Sequence, residues 1–296
     1  MSDDHVYLSL AEASPEGEAR WAYGTGFTDP LSGVDTTLPT GVDGADLGAY
    51  CLMLGDDALV LAQRLTEWCT RAPELEDEVA LANIGLDLLG QARLLLTRAG
   101  QADGTGRTED DLAYLRDEHQ FRSVHLVELA NGDFAHCVAR LLLFSCVRLA
   151  LLQRLAASAD PVLAAVAAKG AKEVAYHREY AAAWTVRLGD GTELSHRRMQ
   201  DALDTLWPHL AELLTPHPVE LRLAASGAAV DPAELRPEVE QVLAEVLAAA
   251  GLDRPQAPAA AAVGGRAGRD GVHTEAMGLL LAELQCVARA HPGAVW

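Results

Sequence analysis

Seven polar residues at helical spacing could do chemistry in this chain. Gln63 and Glu67 stand one turn apart in one apolar stretch, and Asn83, Asp87 and Gln91 follow at the same interval in the next. Glu173 precedes His177 by four residues in a third. A spacing of four puts such residues on one helical face. Acids turned inward from several helices are the raw material of a carboxylate-bridged metal pair. There, two helices each supply one Glu and two others each supply Glu-x-x-His, because three residues of spacing brings both ligands to the same side. The chemistry in view is a di-metal carboxylate site with Glu67, Asp87, Glu173 and His177 as ligands.

The central stretches do not complete that pattern. In Lys172-Glu173-Val174-Ala175-Tyr176-His177 a Tyr stands where the ligating His is required. Asp87-Leu88-Leu89-Gly90 ends in a residue with no side chain to ligate. The stretch after Asp133 offers cations instead, Arg140 and Arg148, which turned inward would neutralise leftover carboxylates without metal. The plainer reading is therefore preferred. Glu67, Asp87, Glu173 and His177 are candidates for a vestigial site, satisfied by hydrogen bonds and ion pairs, with no catalytic, cofactor-binding or metal role.

The remaining candidates carry less. His119, His125 and His136 share no helical face and read as surface or interface residues, and His273 with Glu275 reads as helix capping. Trp68, Trp184 and Trp207 read as core anchors. Gly264-Gly265-Arg266 and Gly268-Arg269 place two cations in a Gly-rich loop that could meet a phosphate but reads as a linker. No GxSxG, Walker loop or GxGxxG is present.

The elements that would position these residues are helical. Of 296 residues half are hydrophobic and only 5% aromatic, with Ala and Leu dominant, which favours helix over strand. Helices are expected over about 46–71, 73–99, 108–121, 133–157, 161–188, 195–214 (with Pro208 inside), 236–250 and 274–290. Arg71-Ala72-Pro73 makes the first corner, since the residue before proline leaves the helical region and proline suits a first turn. Glu74, Glu76, Asp77 and Glu78 then sit at the positive end of the second helix. Residues 1–45 hold eight acids against Arg20, a net of −7, and are expected to be a disordered extension. Residues 46–296 are expected to form one all-α domain of four long central helices with satellites, and 251–271 a flexible loop.

A net charge of −20 and a pI near 4.8 argue against binding nucleic acid or an anionic membrane. The apolar run from Leu141 is interrupted by Arg148 and reads as too short to span a bilayer. Five cysteines without a CxxC read as buried thiols of a cytoplasmic protein.

The segments LAQRLTEWCTRAPELEDEVALANIGLDLLGQAR, RDEHQF, VELANGDFA, KEVAYH and HTEAMGLLLAELQ resemble the structural, non-catalytic subunits of the bacterial phenylacetyl-CoA monooxygenases, the ring epoxidases of phenylacetate degradation. The resemblance runs from about Leu47 to the C-terminus. It implies a ferritin-like bundle that pairs with a catalytic subunit of the same fold. The di-iron centre is then expected in that partner, with no cofactor in this subunit, and a flavin and iron–sulfur reductase is linked only indirectly. Two alternatives stay open: a self-sufficient di-metal oxygenase, and a module that binds CoA thioesters through basic residues near its loops.

Overall fold

The computed structural model describes residues 31–296 apart from 261, 293, 295 and 296. The described residues are helical and contain no strand, only an isolated bridge between Val263 and Arg266. Four long helices form the frame: α1 (Gly44–Thr66), α2 (Leu75–Ala102), α5 (Phe134–Leu155) and α6 (Pro161–Gly189). Between them lie α3 (Glu109–Tyr114) and α4 (His125–Glu128). After them come α7 (Glu193–Leu206), α8 (Leu210–Leu213), α9 (Pro218–Ala225), α10 (Arg236–Ala250) and α11 (Glu275–Ala290). The fold is a ferritin-like helical bundle, as the sequence predicts.

Each long helix starts where its capping chemistry dictates. The Asp43 carboxylate accepts from Asp46 N (2.9 Å), Asp133 from His136 N (3.0 Å) and Asp160 from Leu163 N (2.9 Å), each satisfying an amide that the helix leaves unpaired. Pro161 opens α6 at a position where no amide is needed. Pro208 ends α7, and the chain passes through a 3-10 turn, Trp207–His209, before α8.

α1 packs against α2 and α5 against α6, and α2 also meets α6. α1 and α5 are buried almost throughout. At Gly44 the α1 backbone lies so close to α2 that an added Cβ would stand 2.5 Å from the Ala102 carbonyl oxygen, a contact only glycine permits. Among the described residues two helices are long and apolar enough to cross a membrane, Leu75–Ala102 and Phe134–Leu155. In α5 the apolar window is 94% buried inside the bundle, whereas in α2 it is half buried.

The structure departs from several expectations. The compact helical unit begins at Gly33, ahead of the boundary placed at 46. Val42 is buried and the Thr36 carbonyl accepts from Arg98 (2.6 Å). Residues 1–30 of the supposed extension lie outside the described residues. The helix expected over 108–121 stops at Tyr114, because Arg116 turns inward to bond the Leu112 carbonyl and Asp56. Of the five cysteines, Cys51, Cys137 and Cys146 are buried, but Cys69 and Cys286 are exposed.

Candidate functional site

The candidate site residues lie mainly on the seam where α2 meets α6. The seam is closed by three side-chain hydrogen bonds: Tyr180 OH to Asp77 Oδ1 (2.9 Å), His177 Nε2 to Asp87 Oδ2 (3.0 Å) and Gln91 Nε2 to Glu173 Oε2 (3.1 Å). Lys169 Nζ lies 3.4 Å from Glu173, and Arg148 reaches in from α5 to donate to Gln91 Oε1 (3.2 Å). Burial of the His177 ring lowers its pKa against the pull of Asp87. A neutral imidazole therefore donates its Nε2 proton to the carboxylate. Asn83, on the same helix as Asp87, points to solvent.

Glu67 belongs to a different group. It caps the C-terminal end of α1, where Oε1 accepts from Arg64 (2.9 Å) and Oε2 from Asn131 (2.9 Å). Asn131 in turn accepts from the buried Arg140. The two positions where the pattern needs histidine hold Tyr176 and Gly90. Tyr176 is 49% exposed, and a Cβ added at Gly90 would meet nothing within 4 Å. Among the described residues no three His, Cys, Asp or Glu side chains gather in a group that could hold a metal ion. The donor set present here does not fit a di-iron pair.

One Glu-x-x-His spacing outside the central helices escapes the sequence reading: Glu193-Leu194-Ser195-His196, at the start of α7. Glu193 is exposed and pairs with Arg197, while His196 Nδ1 bonds the Gly189 carbonyl (2.7 Å). This motif closes a helix junction.

A second polar set, missed from sequence, is more deeply buried. Asp56 and Asp57 sit side by side on α1 in the apolar run CLMLGDDALVLAQRL. Asp56 takes a fork of two bonds from Arg116 and a third from Arg122 N (2.8 Å). Asp57 takes two from Arg269 (3.0 and 2.7 Å) and one from Val124 N (2.9 Å). Burial works against the Arg269 charge, but Asp57, Glu220 and Glu212 outweigh it and raise its pKa. The signal was present: two adjacent acids in an otherwise apolar helix require buried cations. What no spacing could show was which cations, since Arg269 is 212 residues away.

Arg269 also overturns the reading of 251–271 as a flexible linker with cations free for phosphate. Gly268–Asp270 forms a 3-10 turn packed so tightly that a Cβ on Gly268 would stand 1.9 Å from the Ser123 carbonyl oxygen. Arg269 is spent on Asp57 and on the Met53 and Arg122 carbonyls (both 2.8 Å). Arg266 donates to the Asp270 carbonyl (2.9 Å). Two histidines are likewise corrected. His125 is buried with Nε2 on the Val272 carbonyl (2.7 Å). The His273 side chain is fully enclosed and donates from Nδ1 to the equally enclosed Glu128 (2.7 Å). The helix start there is held by Thr274 N on Glu128 (2.6 Å).

A cleft of about 390 Å³ opens between α8 and this loop, lined by His125, Glu212, His217, Ala260, Arg269 and Asp270 among others. Burial raises the Glu212 pKa, and its oxygens already accept from His125 N (2.8 Å) and Gly268 N (2.9 Å). The cleft therefore presents carboxylates, with its one guanidinium already paired, a poor match to the diphosphate of a CoA thioester. No nucleophile stands beside a free base in it.

Comparison with known proteins agrees with this architecture. Residues 35–296 match the family described as "Phenylacetic acid catabolic protein". The chain is 46% identical over 250 residues to one of the subunits of the 1,2-phenylacetyl-CoA epoxidase of Escherichia coli (strain K12), a match covering 84% of this chain and 99% of the relative. By sequence across nearly the whole described bundle, the chain belongs to the phenylacetic acid catabolic protein family.

Proposed function

We propose that this chain is a structural subunit of a phenylacetyl-CoA epoxidase in phenylacetate catabolism. It pairs with a catalytic subunit of like fold and stabilises it, working in the cytoplasm without a cofactor of its own. The observation that carries this reading is the α2–α6 seam. Asp87 and Glu173 are answered by His177, Gln91 and Lys169, at the place where a metal centre of this architecture needs convergent ligands. The relative's name supplies the reaction and the fact of a subunit. Oxygen activation is assigned to the di-iron partner, and electrons from the reductase reach that partner, not this chain.

Metal analysis tests the reading. The chain is co-expressed with the catalytic subunit, and iron is measured on the complex and on each separated chain. Iron is expected to follow the catalytic subunit alone. About two iron atoms retained per isolated copy of this chain would overturn the proposal in favour of a self-sufficient di-metal oxygenase.

A further inference from the structure

α2 is the one long helix of the frame whose large aliphatic residues are not all used. Leu75 (71% exposed), Val79, Leu86 (61%) and Leu89 face solvent. They fall at helical spacing on one stripe, whose intervening positions Ala82 and Asn83 are uncharged. Gly90 closes the stripe. A glycine inside a helix lowers its stability. At Gly48 and Gly55 the packing explains it, since a Cβ would stand 2.9 Å from the Asp103 side chain and 3.0 Å from Leu96. Gly85, which faces α1, would take a Cβ at ordinary contact distance, 3.6 Å from the Ala62 carbonyl oxygen. At Gly90 a Cβ would meet nothing. Among the described residues nothing occupies the space beside Gly90, which leaves room for the backbone of another chain to cross there.

We propose that the outer face of α2 from Leu75 to Gly90, continued across the Asp87–His177 bond to Tyr176 of α6, seats an apolar helix of the catalytic subunit, crossing close to Gly90. The proposal rests on the structural-subunit reading above and adds to it the surface and the contact chemistry. Area sets the extent. The stripe is about 22 Å long, and one helix width of it falls well short of the ~800 Å² per partner of a stable complex. The footprint must therefore run onto α6, where Tyr176 is half exposed beside the seam. Charge sets the occupant. Two copies of a chain carrying −20 repel, and so does an anionic bilayer, which leaves the other subunit of the proposed complex. An uncharged stripe with a glycine at its end suits a partner helix with small or aliphatic residues at the crossing.

Binding of the co-expressed catalytic subunit to the full chain tests this, with Leu86→Asp and Gly90→Leu as the probes. Both positions are open, so each isolated variant should keep the wild-type circular dichroism and a cooperative thermal transition, with the midpoint of Gly90→Leu raised because leucine is the better helix former. Each is expected to raise the dissociation constant at least about tenfold. Leu279→Asp, at the most exposed apolar residue of α11 (74%), should leave it unchanged. If the wild-type chain forms no complex at all, the structural-subunit reading itself fails. If it does and only Leu279→Asp weakens it, or none of the three does, the surface is wrong and the reading stands. Self-association of the isolated chain that Leu86→Asp abolishes would make a second copy the occupant and overturn the proposal. So would flotation with phosphatidylcholine–phosphatidylglycerol vesicles that Leu86→Asp abolishes.

Discussion

Asp57 and Arg269 show what a buried charge demands of its surroundings. Both are removed from water, and the pair persists because the lone pairs and donors around it are used. Replacing Asp57 by Leu strands a guanidinium, with an expected loss of about 3–5 kcal/mol in urea denaturation. The double change Asp57→Leu with Arg269→Met should lose much less, because no charge is left unpaired. His273 makes a pH-dependent contribution of known sign. Burial pulls its pKa down, but the Glu128 carboxylate, the Phe121 carbonyl and Glu118 more than reverse this and raise it. Its stabilisation is therefore complete below the unfolded value of about 6.5 and is lost as pH rises through the folded value. Unfolding free energies of wild type and His273→Gln measured from about pH 5.5 to 8.5 should converge as pH rises. His177 runs the other way: its lowered pKa makes a contribution that is lost as pH falls below the unfolded value. The seam residues Asp87, Glu173 and His177 were legible as candidates from spacing, since Asp87 lies one turn from Gln91 and Glu173 one turn from His177, but their pairing across the seam was not. Asp57–Arg269 and Glu128–His273 were not, because their partners come from opposite parts of the chain.

At the level of elements, the long helices follow local signals: the Asp caps, the Pro starts, the apolar periodicity. Short elements do not. α3 ends early because Arg116 has a tertiary partner in Asp56, which no helix propensity records. The segment before α1 behaves similarly. Its composition is that of a solvated tail, yet Val42 is buried and the Thr36 carbonyl caps Arg98, itself paired with Asp160 at the start of α6. A chain begun at residue 46 should accordingly be less stable than one begun at 33, by about 1–3 kcal/mol for the unsatisfied buried guanidinium. Equal denaturant midpoints for the two would show the segment to be dispensable. The loop around Arg269 follows the same logic: glycines that look like a linker are there because Ser123 and His119 leave no room for a Cβ at Gly268 and Gly271.

For the molecule as a whole, the acidic surface, the half-used face of α2 and the ligand positions occupied by Tyr176 and Gly90 converge on a chain that works beside another. The sequence by itself determined the all-α class, the four long helices, the family likeness and the incompleteness of the metal pattern. Those depend on local periodicity, caps and residue identity. Only the tertiary structure decided that Glu67 stands apart from Asp87 and Glu173, which cations hold Asp56 and Asp57, and that Arg269 is unavailable to a ligand. It also decided that the space beside Gly90 is left open by the described residues. Those facts depend on which helix faces meet across long separations. Burial is a property of the assembled bundle, and a single helix does not encode which of its faces the rest of the protein will cover.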